Sequence, residues 1–566
     1  MKRRDFVRAA ALAAAANALP GQARGLTWRE MRSIRSPQRI LRGGLVIDGT
    51  GTEPVELDVG IADGRIVALG TRLDSTGVDV IDVSGLAVAP GFVDIHSHTD
   101  LGLLVDPRAE SKVRQGVTTE VTGQDGGSVG PRSDAERAEL DASYRERYGV
   151  GIDFSDLQGF FRRLDMQGAA VNVASMVGAG RIRQMVIGNA DRPPTDVELD
   201  RMVGLVRDAL TQGACGLSSG LEYTPGGFAT RAELVALTTP LRGTGLPYAS
   251  HMRNEDDSLI AGIEEAIAVG VLAGVPTHIS HLKAQGERNW WKAEPVLALL
   301  EATRQRAIDV SYDRYPYTAY STTLANLFPL WSRDGGTDAF LARLADPDTA
   351  RPIEAAVRDK IAQLGSWDAV QITATGAAEL AAVRGRRLGE LALERGTDPY
   401  RLLVDLITED RNRTGMVGFG MSEQNTERFI AHPLGMVCSD AGALATDGPL
   451  AGGSPHPRGY GAFPRVLGHY VRERGALTLE HAIHKMTDRP ARRVGLAGRG
   501  RIALDHAADL VAFDPARVRD RATFEQPHQY PEGIPYVLVA GELVIREHEH
   551  TGAIRGRALR PSPAAG

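Results

Sequence analysis

The stretch APGFVDIHSHTD, residues 89–100, sets two imidazoles one residue apart behind a run of small and apolar side chains. Side chains on an extended chain repeat every second residue. His96 and His98 are therefore expected on one side, Ser97 and Thr99 on the other. Such a pair makes a two-nitrogen claw, or simply a polar strand end, and what surrounds it has to decide.

Upstream, residues 38–90 carry short strand-like runs broken by turn signals: RILRGGLVIDGTG, VELDVGIADGRIVALG and VDVIDVSGLAVAP. Asp63-Gly64 between two such runs is a hairpin signal. These residues are expected to form a small β module. Downstream, apolar strand runs alternate with helical patterns: AAVNVASMVG, ACGLSSG, PYASHM, PTHISHLK, AIDVSYDRYPY, AVQITAT, GMVGFG and GMVCSD. Segments such as DVELDRMVGLVRDALTQG and SLIAGIEEAIAVGVLAG are long enough for the intervening helices. About eight such units predict an α/β protein with a (β/α)8 barrel over 91–497. The rhythm breaks at 318–368, around LFPLWSRDGG, which reads as an insertion able to cover the barrel mouth. From 498 to 566 short β runs return, and these are expected to complete a β-sandwich begun by residues 38–90.

Of the 566 residues, 43% are hydrophobic and 24% charged, and the formal net charge is -6. That balance gives no electrostatic case for nucleic acid or an anionic membrane as partner. The two cysteines, Cys215 and Cys438, exclude a disulfide framework and a cysteine-rich zinc module. Residues 1–25, MKRRDFVRAAALAAAANALPGQARG, pair Arg3-Arg4 with an alanine-rich stretch, as a twin-arginine export signal does. A periplasmic or exported protein is expected, without stable membrane insertion, since no other run nears the ~20 apolar residues needed to span a bilayer. Nothing in the sequence fixes an oligomeric state.

A parallel barrel gathers the carboxyl ends of its strands at one face, where chemistry is carried. Asp125, His251, His281 and Asp440 all fall at such ends, with His96 and His98. Four imidazoles and two carboxylates suit Zn2+ or a similar divalent ion, one or two of them. A metal there acidifies water and polarises a carbonyl, while a carboxylate beside it, for which Asp440 is suited, moves the proton. Glu120 lies too deep in its strand to reach that face. Hydrolysis of an amide or related acyl bond follows.

These residues resemble the amidohydrolase superfamily, and YASHMRNE, ISHLKAQG, DRYPYTA and PHPRGYGAFPRVLGHYVRE resemble its N-acyl-D-amino-acid deacylase (D-aminoacylase) branch over essentially the whole chain after the export signal. The resemblance implies a metal-dependent barrel with a β-sandwich, an N-acyl amino acid as small-molecule substrate, and a preference for the D configuration. It implies that His251 and His281 hold the tighter zinc, His96 and His98 the second position, and that Asp440 is general base and acid. It implies that Tyr223, Lys283 and Arg458 bind the substrate carboxylate and that Tyr315 steadies the scissile carbonyl. One departure is clear. The family carries cysteine in a Gly-Asn-Cys-Gly turn, whereas GQDGG places Asp125 there, a harder ligand that loosens any preference for zinc over Mn2+ or Co2+. Cys215 and Cys438 are expected in the core, His278 as a structural histidine, and His469 near the ligands as a supporting group. Competing readings are a D-dipeptidase, a cyclic-amide hydrolase of the hydantoinase or dihydroorotase kind, and a non-catalytic binding protein. The absence of lysine from 122 to 250 counts against the cyclic-amide reading, whose enzymes bridge two metals with a carboxylated lysine.

Overall fold

A computed structural model describes residues 34–562. The export-signal expectation falls outside these residues. Eight parallel strand positions surround one axis: β1 Phe92–Asp94, β2 Val117–Thr122, β3 Asn172–Ser175, β4 Leu217–Gly220, β5 Tyr248–His251, β6 Thr277–Ile279, β7 Val310–Arg314 and β8 Gly435–Val437. Each is buried almost throughout, as parallel strands sheathed by helices must be. The ladders run β1 to β2 to β3, and from Val177–Gly178, which extends β3, through β4, β5, β6 and β7 to β8. β8 meets β1 through a parallel bridge of Ser97 with Ala441. The Asp440 N–H donates to the His96 carbonyl at 2.9 Å and the His98 N–H to the Ala441 carbonyl at 3.2 Å. The seam of the barrel is thus built from residues flanking the candidate ligands.

The helix Asp196–Thr211 shows why these segments fold as they do. Thr195 caps it in a capping box with Glu198, worth about 1 kcal/mol, and it buries Met202, Val206 and Ala209 toward the barrel.

A nine-stranded sheet joins both ends of the described chain, with Leu510–Phe513 antiparallel to Ala87–Pro90. Its own core holds Leu41, Val59, Ile66, Val88, Leu510 and Leu538, each large side chain stabilising by about 1.5–3 kcal/mol. Asp63 and Gly64 both have positive φ, 49° and 73°, as a two-residue hairpin turn of this twist requires.

The inserted region differs from expectation. AVQITAT and GMVGFG are not barrel strands. Val370–Ile372 and Ala319–Thr323 flank Gly415–Phe419 in a separate three-stranded antiparallel sheet. The insertion therefore extends well past residue 368, and the barrel completes its eight strands with β1 and β2 instead. A short apolar run does not state its pairing direction; partners across more than 40 residues decide it.

Candidate metal centre and its cavity

Beyond β1 the chain stays extended, and His96 and His98 point the same way, with their Nε2 atoms 3.3 Å apart. From β5 and the end of β6, His251 Nδ1 and His281 Nε2 lie 3.0 Å apart. Bare ring nitrogens gain little by such approach. Two ligands on one tetrahedral zinc at about 2.0–2.1 Å stand about 3.3 Å apart, so both pairs are spaced to share an ion.

Asp125 lies between the pairs. Its Oδ1 is 3.4 Å from His96 Nε2, and its Oδ2 is 3.4 Å from His98 Nε2, 3.4 Å from His281 Nε2 and 3.7 Å from His251 Nδ1. Asp440 completes the first set, Oδ1 standing 3.1 Å from His98 Nε2 and 3.6 Å from His96 Nε2. Two donor sets, His96–His98–Asp125–Asp440 and Asp125–His251–His281, thus share one carboxylate. Asp125 Oδ1 and His251 Nε2 are buried with no hydrogen-bond partner. Leaving such atoms unpaired is costly, and the donor set fits one or two divalent ions.

The backbone is bent to achieve this. Asp125, His281 and Asp440 all have positive φ, at 53°, 34° and 51°, a strained region for non-glycine residues that costs of order 1–3 kcal/mol each. Gly220 of β4 runs against the Asp125 turn so closely that a Cβ there would lie 2.1 Å from the Asp125 carbonyl oxygen.

Electrostatics agrees. Burial opposes charge on His98 and His251, yet Asp125 and Asp440 beside the first and Glu255, Asp125 and Glu222 beside the second raise them to about 9 and about 10. Burial would lift the Asp440 carboxyl, but Arg458, His281 and the His98 hydrogen bond hold it well below the usual range. Without a metal the carboxylates draw protons onto these two imidazoles, positive charge that a divalent ion would supply in their place.

A cavity of about 340 Å³ opens on this cluster, lined also by Glu222, Tyr223, Lys283 and Arg458, and by Tyr320–Thr323 and Asn326 from the insertion. Lys283 is buried, donating from Nζ to Glu255 Oε1 at 2.6 Å. Arg458 Nη1 is 2.7 Å from Asp440 Oδ2, at the first turn of the helix Arg458–Arg465, whose entry is tied down by His456, its Nε2 meeting the Ala319 carbonyl at 2.8 Å. Tyr223 packs its ring 4.6 Å from that of His251. Tyr315 is fully buried, its hydroxyl has no hydrogen-bond partner, and its ring lies under Arg458 at 4.6 Å and Lys283 at 5.9 Å. His469 is also removed from the ligands, bound to Glu423 and Glu473. His278 has both ring nitrogens engaged, by Ser311 and Asp313, each at 2.8 Å. Cys215 and Cys438 are buried, and burial pushes both thiols up, Cys215 to about 12; neither supplies a thiolate.

Four groups were not legible as site residues. Glu222 and Glu255 stand within reach of His251 and His281. Asp313 accepts from the His281 backbone N–H at 2.7 Å and lies 3.6 Å from His96 Nδ1, fixing the His281 backbone and the His96 ring. Lys112, fully buried, donates to Asp94 at 2.7 Å, Ser97 at 3.1 Å, Ser439 at 2.8 Å and the Ala441 carbonyl at 2.7 Å, and faces Glu120 at 3.2 Å. It staples the residues on either side of His96, His98 and Asp440.

Comparison with known proteins adds the following. A family model described as the amidohydrolase family matches residues 439–545. The chain is 37% identical over 532 residues to the D-aminoacylase of Alcaligenes xylosoxydans xylosoxydans, covering 93% of this chain and 98% of that one. It is 36% identical over 502 residues to that organism's N-acyl-D-glutamate deacylase, covering 89% and 92%. Among solved structures, the N-acyl-D-glutamate deacylase of Bordetella bronchiseptica, complexed with zinc and a phosphonate mimic of the tetrahedral intermediate, matches with a TM-score of 0.77 and 33% identity, covering 93% of this chain and 100% of that one.

Proposed function

Because the chain belongs to the N-acyl-D-amino-acid deacylase family of amidohydrolases, we propose that it hydrolyses the amide bond of N-acyl-D-amino acids, with Asp440 as general base and acid. The observation that carries this reading is the sharing of Asp125 between two histidine pairs beside Asp440, at the floor of a cavity that also holds two cations. A divalent ion bound by His96, His98, Asp125, His251 and His281 would supply an acidified water and a polarised carbonyl.

The protein's own groups supply the rest. Asp440, kept ionised by Arg458 and the histidines, takes the proton of the attacking water and hands it to the leaving amine. Arg458 and Lys283 offer a guanidinium and an ammonium to the substrate's free carboxylate. Each rests on a carboxylate of the site, Asp440 and Glu255, so substrate binding exchanges one partner for another and frees Asp440 as base. Tyr223 forms the wall beside His251, and the Tyr315 hydroxyl, buried without a hydrogen-bond partner next to Arg458 and Lys283, is the donor that steadies the scissile carbonyl. The insertion supplies the mouth, with Tyr320–Thr323 facing the cavity. Asp125 in place of a thiolate favours acceptance of Mn2+ or Co2+ beside Zn2+. We also infer export by the twin-arginine route, supported by Arg3-Arg4 and the alanine-rich stretch after them; fractionation of cells with and without Arg3-Arg4→Lys-Lys tests it.

The test of function is release of free amino acid from paired N-acetyl-D- and N-acetyl-L-amino acids by protein of measured metal content. Release from the D series alone is expected. Release from neither series by metal-loaded protein would overturn the substrate assignment.

A further inference from the structure

At the opposite, amino-terminal end of the barrel lies a second cavity, of about 380 Å³, beside Val310 at the start of β7 and Met436 in β8. It is lined by four arginines, Arg304, Arg489, Arg492 and Arg493, and two aspartates, Asp309 and Asp488. Both carboxylates are already engaged. Asp309 accepts from Arg304 at 2.7 Å and from Arg493 at 2.9 and 3.0 Å. Asp488 accepts from Arg501 at 2.6 and 3.0 Å, with Arg492 at 3.5 Å.

Five guanidinium groups therefore share two carboxylates, and the half-buried Arg489 guanidinium has no acceptor among the described residues. Nearby Lys485 adds no negative partner, since its Nζ donates to the carbonyls of Ile430, His432 and Gly435. A half-buried charge whose nearby carboxylate, Asp309, is already shared by Arg304 and Arg493 is poorly compensated. Such a charge in a roomy cavity, flanked by other guanidiniums with unused donors, is what a multivalent oxyanion compensates, because the guanidinium fork matches phosphate geometry.

We propose that this cavity is a second ligand site, separate from the metal centre, that takes a small phosphate-bearing anion on Arg489 with Arg304, Arg492 and Arg493 around it. Burial, then the neighbouring Arg493 charge, holds the Arg489 guanidinium down at about 10, and an anion beside it would relieve both effects.

The test is the unfolding midpoint of the metal-loaded protein titrated with inorganic phosphate and with pyrophosphate, against chloride at constant ionic strength. A saturable rise is expected, larger for pyrophosphate. Arg489→Gln should weaken that response about tenfold or more while leaving deacylase kcat/KM in chloride unchanged, and should itself unfold no earlier than the parent in chloride. Arg492→Gln, at an exposed position on the rim, should weaken it less. No saturable rise in the parent overturns the proposal. So does an equal rise in parent and Arg489→Gln, which would place the anion elsewhere, such as on the metal.

Discussion

Replacing Lys112 with Met keeps an unbranched chain of similar length and removes the charge that closes the barrel seam. The ammonium is fully buried and satisfied by Asp94, Ser97, Ser439 and the Ala441 carbonyl, with Glu120 at 3.2 Å. Without it Asp94 keeps the Ser439 N–H and hydroxyl, and Glu120 keeps the Thr99 hydroxyl, but two buried carboxylates face each other with no cation. Breaking a buried pair in this way costs about 3–5 kcal/mol. The cost depends on pH with a definite sign. Burial already raises the Glu120 carboxyl above its ordinary 4.5, and Lys112 is the chief influence holding it down. A raised carboxyl contributes stability below its unfolded value and loses it as pH rises through the folded value. The deficit of Lys112→Met should therefore be larger at pH 8 than at pH 5. Chemical unfolding of parent and variant at both pH values measures it. A deficit below about 1 kcal/mol at pH 8, or one that grows as pH falls, would refute the assigned role of the ammonium.

Further outcomes follow from the same geometry. Gly220→Ala should push the Asp125 turn away from both histidine pairs and lower bound metal per chain; unchanged metal content in a folded variant would show that the turn yields freely. Lys283→Met, which removes an ammonium facing the cavity together with its 2.7 Å contact to His281 Nδ1, should raise KM by about tenfold or more in protein of matched metal content, as expected for one charge-assisted bond to a carboxylate; a fall in kcat alone would argue against a binding role. Zinc uptake by the metal-free protein at pH 7 should release protons, because His98 and His251 are held at about 9 and about 10 and carry protons there. Affinity should accordingly rise with pH up to about 9. Calorimetry in buffers of different ionisation enthalpy reads this directly, and zero net release would contradict the arrangement.

The barrel was readable because strand and helix lengths alternate over most of the chain, and topology alone then brings His96, Asp125, His251, His281 and Asp440 to one end although up to 344 positions separate them. Their mutual approach needed no spacing rule beyond that. The pairing of Val370–Ile372 and Gly415–Phe419 was not readable, since three to five buried residues look alike in a parallel barrel and an antiparallel lid. Lys112, Glu255 and Asp313 escaped for a different reason. Their partners lie on neighbouring strand ends that only the folded barrel brings together, and a buried lysine reads in sequence like any solvated one.

The most direct test of the account is to strip the protein of metal with a chelator, add zinc in fractions of an equivalent, and follow release of amino acid from an N-acetyl-D-amino acid at each step, for the parent and for Asp440→Asn. The account predicts no release without metal, release that grows with the first equivalent in the parent, and zinc uptake without release in Asp440→Asn. Full activity in the metal-stripped parent, or undiminished activity in zinc-loaded Asp440→Asn, would contradict it.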